Sequence, residues 1–360
     1  MFYQGGNGFA PVDRVVCGQR CWKMGGEHLE SPVLNEKRGL VLETGPWMSK
    51  VCWTSHEFIN PYGVSFNRMG FEGDPMGLEP LKAPEHGLGM SEELRIALSA
   101  AVAGANVIRD WVGRPTGIIE KGVGDLVSEV DKRAEGAVLE VLASSSLRAS
   151  IVSEESEATM VADSGDCWYV DPLDGTSAFL FRVGDPFPSV LVALHRQQLP
   201  LVGVVLFPLT GECFYSHAGM GAYKDGRRME LPAPRRLQDV WIDMNQYGNA
   251  RYETGMFAYL RNKLRTREGA KLVTSFPPHS GVAMRLLDGS TALSAVVHDN
   301  NSESVKQAPW DIAAPHAILN EAGGCFLSLR TGEPIGPMDC EPMVVSADRA
   351  LAMEIIGLVR

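Results

Sequence analysis

Trp168-Tyr169-Val170-Asp171-Pro172-Leu173-Asp174-Gly175-Thr176-Ser177-Ala178-Phe179 runs from a short apolar strand straight into two carboxylates, with a proline between them and a glycine and a hydroxyl behind. Charge is thereby concentrated where a strand ends, a place suited to a cation. Pro172 fixes φ and removes a donor, Gly175 permits a sharp turn, and the Leu173 carbonyl is free to face the same way as Asp171 and Asp174. Three hard oxygen ligands converging on one point suit Mg2+, Mn2+ or Ca2+ rather than zinc. An EF-hand is excluded: with Asp171 as the first position, Arg182 falls where that loop needs its closing glutamate. Alone, an Asp-x-x-Asp pair leaving a strand is an ordinary Asx-turn.

The pair is not alone. Upstream, Ile151-Val152-Ser153-Glu154-Glu155-Ser156 is again a β-type run ending in carboxylates, and downstream lies Trp310-Asp311-Ile312-Ala313-Ala314. Together with Asp125-Leu-Val-Ser-Glu-Val-Asp131 and Glu321-Ala-Gly-Gly324, these stretches resemble, in order, the motifs of the inositol monophosphatase family of Mg2+-dependent, lithium-sensitive phosphomonoesterases. The resemblance covers roughly residue 91 to the end and leaves the first ninety residues unexplained.

At 360 residues the chain exceeds the usual single-domain size. With 45% hydrophobic and 21% charged residues it reads as an ordinary globular protein able to bury a sizeable core. A formal net charge of -11 argues against a nucleic-acid backbone or an anionic membrane as partner. The cysteines (Cys17, Cys21, Cys52, Cys167, Cys213, Cys325, Cys340) are scattered with no Cys-x-x-Cys pair, so neither a disulfide framework nor a zinc site is expected, and a reducing cytoplasm fits. Met-Phe-Tyr-Gln-Gly-Gly is not a signal peptide, and no stretch has the roughly 18 apolar residues of a membrane span.

Residues 1–90 are rich in glycine and proline yet hold Trp22, Trp47 and Trp53, with no sustained helical or strand period. They read as a flexible extension, not necessarily native, with Met90-Ser91-Glu92-Glu93 as a natural start; a small accessory domain is the alternative. From Ser91, an N-cap, apolar spacing through Trp111 gives a buried helix. Residues 117–124 form a loop or hairpin, and Ser128 caps a second helix facing inward through Val130, Ala134, Ala137, Val138, Val141 and Leu142, with Asp131 in its first turn. Strands at 149–153, 167–170, 189–195, 201–207 and 212–216 read as an antiparallel meander, with His195 and His217 as strand-end or surface residues. After Pro232 and Pro234 strand and helix alternate, which is α/β architecture with parallel pairs. The expected domains are therefore the extension 1–90, helices plus an antiparallel sheet with the metal site over 91–232, and an α/β subdomain over 233–360. The stacking of two sheets between helix layers agrees with the α-β-α-β-α sandwich, of inositol monophosphatase and fructose-1,6-bisphosphatase type, that the resemblance implies.

Glu154 and Asp171 are each expected at the carboxyl end of a strand, where α/β sheets present ligands, and Asp311 as the N-cap of a helix. The resemblance implies that Glu154, Asp171 and the Leu173 carbonyl hold one Mg2+, and that Asp171, Asp174 and Asp311 hold a second, with a third ion or Mn2+ as variants. It further implies that Thr176, hydrogen-bonded to Asp131, or Glu154 itself orients the attacking water. Asp174, Gly175, Thr176, Ser280, Gly281 and Asp311 would meet the substrate, with the backbone N–H groups of Gly175 and Thr176 on the phosphate. The implied activity is hydrolysis of a small phosphate monoester, inositol monophosphate or a related sugar phosphate, by a homodimer. A 3′-phosphoadenosine 5′-phosphate phosphatase, a fructose-1,6-bisphosphatase, a histidinol-phosphate phosphatase and a catalytically inactive metal-binding relative are the alternatives. The chain departs from the family pattern at four places. Ser153 replaces the usual glycine before Glu154. The place of a glutamate that contacts the sugar ring is Ser304, with Glu303 one residue off. Leu293-Ser294-Ala295 stands for Leu-Asp-Gly, and Pro315 is expected inside the first turn of the Asp311 helix. Fewer charged groups to grip a polyol imply a broad phosphatase.

Overall fold

The computed structural model describes residues 80–84, 90–114, 117–122, 125–156, 165–181, 188–246, 255–273, 280–287, 293–299, 308–339 and 341–360, together with seven strands in the first 71 residues. The chain divides into two compact units, Met1–Leu78 and Glu79–Arg360. In the first, β1 (Phe2–Gly5) pairs with β2 (Gly8–Pro11). A five-stranded sheet holds β3 (Arg14–Cys17), β4 (Arg20–Lys23), β5 (Val41–Leu42), β6 (Val51–Ile59) and β7 (Ser65–Phe71). The side chains of Trp22, Trp47 and Trp53 lie outside the described residues.

The second unit is held earlier than Met90. Leu81 donates its N–H to Asn106 Oδ1 at 2.7 Å and accepts from Asn106 Nδ2 at 3.2 Å, while Leu81 and Ala83 pack on the core beside the first helix. That helix, α1 (Glu92–Trp111), starts where Ser91 Oγ accepts from Leu94 N at 3.2 Å. A hairpin follows, β8 (Ile118–Gly122) and β9 (Asp125–Ser128). The second helix, α2 (Glu129–Ser144), opens on a capping box between Ser128 and Asp131.

Seven strands then form one sheet in chain order: β10 (Ser150–Ser153), β11 (Asp166–Asp174), β12 (Ser189–Arg196), β13 (Leu199–Leu206), β14 (Cys213–His217), β15 (Gly221–Lys224) and β16 (Arg227–Arg228). All pairs are antiparallel except β10 with β11, which is parallel, so the expected meander begins one strand later. Its side chains alternate between two covered faces. Trp168, Val170, Val190, Val192 and Leu194 join α1 and α2 in one core, while Leu191, Ala193, Val205, Phe207 and Phe214 face the other way. His195 lies at a strand end as expected, but is buried.

The second sheet comprises β17 (Trp241–Gln246), β18 (Lys271–Val273), β19 (Leu293–Asp299), β20 (Cys325–Ser328) and β21 (Met343–Ser346), ordered β18-β17-β19-β21-β20. It is mixed: β17 is parallel to both neighbours, and β21 is antiparallel to both of its own. One face packs on α4 (Gly255–Lys263) and α6 (Arg349–Gly357). The other shares a core with α5 (Pro309–Ala322), a 3-10 turn at Ser280–Leu286 and the seven-stranded sheet. A side chain at Gly203 on β13 would meet the Ala314 carbonyl at 2.7 Å, so the glycine lets α5 lie directly on the sheet. The layers are α1/α2, sheet, α5, sheet, α4/α6, the expected α-β-α-β-α sandwich.

Three local expectations are corrected. Asp311 is not the N-cap of α5: Pro309 takes the first helical position, where its missing N–H costs nothing, so Ala308 is the cap and Asp311 the third helical residue, accepting from Ala308 N at 2.6 Å. For the same reason Pro315 lies in the second turn, not the first. Asp171 does not end its strand either, since β11 continues to Asp174 across a shift of register between those two residues. Pro172 cannot donate to the ladder, and the bulge accommodates it.

Candidate active site

Asp171 and Asp174 flank the bulge and are both buried. Asp171 accepts from Leu173 N at 3.0 Å, an Asx-turn that fixes one oxygen, and Gly175 at φ 86° reverses the chain into the short helix α3 (Thr176–Phe181). A residue with a side chain is strained at that angle. Thr176 thereby falls beside the start of α2. Its Oγ1 lies 2.6 Å from Asp131 Oδ1 and 3.2 Å from the Leu173 carbonyl. Asp131 Oδ2 accepts from Ser128 N at 2.8 Å and from Ser128 Oγ at 2.5 Å. Burial raises the Asp131 pKa, and the hydrogen bonds from Ser128 and Thr176 offset part of that rise.

Around Asp171 the chemistry is different. Its carboxyl is pushed well above the usual range, first by burial and then by the charges of Glu154, Asp174 and Asp311. Glu154 follows the last residue of β10, with its N–H on the Val170 carbonyl at 3.2 Å. Asp311 keeps some accessible surface, yet its pKa is also raised, by burial and then by Glu154 and Asp174. A proton on Asp171 relieves the repulsion it shares with its acidic neighbours. The set is made of hard oxygen donors of one sign, Asp171 and Asp174 buried and Glu154 and Asp311 partly accessible, which fits a divalent cation of the Mg2+ type. Among the described residues no three acidic, histidine or cysteine side chains stand at the spacing of a closed ion site, and the hydrogen bonds show why. Asp174 is turned to Ser189 Oγ, Ser280 N and Gly281 N, each at 2.8 Å, and Asp311 to Ala308 N.

Every candidate side chain therefore comes to one region, but Ser280 and Gly281 direct their N–H groups at Asp174. Gly281 has no room for a side chain, which would strike Ser189 Oγ. Ser304 and Glu303 lie outside the described residues, as does the side chain of Ser294. Four neighbours were not read from the sequence: Ser128 as a partner of Asp131, Ser189, Glu135 and His298. His298, near the end of β19, is buried and held neutral by burial, its pKa lowered to about 3 although Asp174 pulls the other way. Glu135 was open to detection, because it stands one helical turn after Asp131 within the mainly apolar inward stripe of α2. Ser189 gave no local signal.

A sequence model of the inositol monophosphatase family matches residues 90–360. The "Fructose-1,6-bisphosphatase/inositol-1-monophosphatase" of Aquifex aeolicus is 30% identical over 278 residues, 73% of this chain and 93% of that protein. Among solved structures, the extragenic suppressor protein suhB from Bartonella henselae superposes with a TM-score of 0.65 at 23% identity, over 75% of this chain and 99% of that one. An "IMPase/NADP phosphatase complexed with Mg2+ and phosphate" does so with a TM-score of 0.58 at 21% identity, over 71% and 89%. The chain belongs to the inositol monophosphatase family.

Proposed function

We propose that this protein is a Mg2+-dependent phosphatase that hydrolyses a small phosphate monoester, inositol monophosphate or a similar sugar phosphate, by in-line attack of water. One observation carries the reading: buried Asp171 and Asp174 stand on the same turn as Thr176, whose hydroxyl lies 2.6 Å from Asp131 Oδ1 and 3.2 Å from the Leu173 carbonyl, and burial first, then the charges of Glu154, Asp174 and Asp311, raise the Asp171 pKa. Buried charges of one sign call for a counter-cation. Glu154, Asp171 and the Leu173 carbonyl would hold one ion, and Asp171, Asp174 and Asp311 a second. Such ions neutralise the phosphate and acidify water. The rest is the work of this chain. Thr176 gives its hydroxyl proton to Asp131 in a hydrogen bond, which leaves its oxygen lone pairs to accept from a water and aim it. Asp131, fixed from the other side by Ser128, keeps that hydroxyl in one rotamer. The names of the Aquifex relative and of the Mg2+ and phosphate complex support the reaction class, and the intact Thr176–Asp131 pair speaks against an inactive relative.

The test is phosphate release by the full chain from inositol 1-phosphate, fructose 1,6-bisphosphate, 3′-phosphoadenosine 5′-phosphate and histidinol phosphate, with chelator and with Mg2+ or Mn2+ restored. Metal-dependent release is expected, with kcat/KM across the panel within about tenfold, roughly 1.4 kcal/mol of transition-state binding. Turnover in chelator, or none on any compound, overturns the reading. A preference above about a thousandfold overturns the broad specificity alone.

A further inference from the structure

The geometry points to Glu135 as a positioning residue for Glu154, acting through Ser153. This rests on the function proposed above and adds to it a residue that sets how well one ion is held. Asp131 and Glu135 are one helical turn apart on the same inward stripe of α2, among Val130, Ala134, Val138 and Leu142. Asp131 is 0% and Glu135 7% exposed. Acidic side chains are seldom placed in a helix's buried stripe without a partner. Each has one at the site: Asp131 takes Thr176, and Glu135 takes the hydroxyl of Ser153 through a short hydrogen bond to Oε1.

Ser153 is completely buried, is the last residue of β10, and is bonded directly to Glu154. Glu154 opens a turn, so on its N-terminal side its backbone is fixed by that strand end and by its own N–H on Val170. Anchoring Ser153 to α2 sets the direction in which Glu154 leaves the sheet. The same helix thus holds Thr176 through Asp131 and Glu154 through Glu135, and keeps the two at a fixed separation. A glycine at this position could not make the bond.

Partners behind a metal ligand are typically worth about 10–100-fold in metal affinity or activity. The experiment titrates Mg2+ into the metal-free full-length protein by calorimetry and measures kcat and KM over a range of Mg2+. Glu135→Leu keeps the volume and removes the acceptor, Glu135→Gln keeps an acceptor for Ser153, and Ser153→Ala removes the donor. Glu135→Leu and Ser153→Ala are each expected to weaken Mg2+ binding about tenfold and to lower kcat at limiting Mg2+ while KM for the phosphate ester stays put. Glu135→Gln is expected to remain close to wild type in all three. A purely structural Glu135 would lower the melting temperature without moving Mg2+ affinity, and that result overturns the inference. If Glu135→Leu does not fold, Ser153→Ala decides by the same criterion. Wild type that takes up no Mg2+ overturns the proposed function as well. Wild type that binds Mg2+ as tightly as both variants overturns the Glu135 role alone.

Discussion

Asp131 and Asp171 are both buried aspartates with raised pKa values at the ends of short hydrogen-bonded turns, yet their surroundings are opposite. Asp131 is met by donors: Ser128 through both its N–H and its hydroxyl, and Thr176. Asp171 has the Leu173 N–H as a donor and is otherwise met by Glu154, Asp174 and Asp311, charges of its own sign. The first corner is finished by the protein, whereas the second is left in electrostatic debt until a cation or protons arrive. Preorganisation and demand for a ligand are thus separated by the width of one turn, Leu173-Asp174-Gly175.

The sharpest way to break this contrast is Asp171→Asn. It removes a ligand common to both proposed ions, so turnover is expected to fall by more than about a thousandfold. The same change takes a buried negative charge out of the cluster, so the metal-free protein is expected to melt higher, not lower. A mutant with more than about a tenth of wild-type turnover would sink the assignment. Thr176→Val attacks the other corner. Phosphate release should drop about a hundredfold while calorimetric Mg2+ affinity holds, and weakened Mg2+ binding would show that the two corners are not separable.

A pH series sharpens the comparison without mutation. Asp171 and Asp311 have folded pKa values above the ordinary 3.8. In chelator the folded state therefore retains protons that the unfolded chain has released, and stability is full below about 3.8 and is lost as pH rises through the raised values. Mg2+ should abolish that loss, because binding to the native state alone adds stability. Melting curves with the same pH slope in chelator and in Mg2+ would contradict it. Smaller still, Ser128→Ala takes away the N-cap hydroxyl and one donor of Asp131, at an expected cost of about 1–2 kcal/mol by denaturant unfolding. No change in midpoint would mean that the backbone N–H of Ser128 suffices. Smallest, a chain begun at Met90 loses the Leu81–Asn106 pair and is expected to melt about 2–4 °C lower than one begun at Glu79. Equal melting temperatures would leave the earlier start of the packed unit without energetic weight.

Much of this was legible in the chain. The apolar run Val190-Leu191-Val192-Ala193-Leu194, followed by the turn at 195–200, marked a strand, and Ser91 and Ser128 announced two helix starts. Asp171-Pro-Leu-Asp174 announced the turn on which the candidate site is built. The misreadings are about boundaries set by proline. Pro309 starts α5 ahead of Asp311, and Pro172 sits inside β11, where its missing N–H produces a bulge instead of an end. What the sequence could not show is partnership across long separations. Ser189 meets Asp174, and Ser153 meets Glu135, only after strands and helices have stacked. Counting back from Asp311 to Ser304 assumed a constant spacing, while β19 brings His298 into the field of Asp174.

Asp174 stands on the seven-stranded sheet, and the amides of Ser280 and Gly281 that it accepts belong to the 3-10 turn leading into the other half of the molecule. If Asp174 is recruited to a cation as proposed, its oxygens would be drawn off those amides. In amide hydrogen exchange, Ser280 and Gly281 would then act as native reporters of occupancy: slow while the carboxylate holds them, faster once it turns away. A phosphate oxygen that takes the vacated donors would slow them again. The three states of the site, bare, metallated and phosphate-bound, would be told apart from two peptide groups that touch no ion themselves.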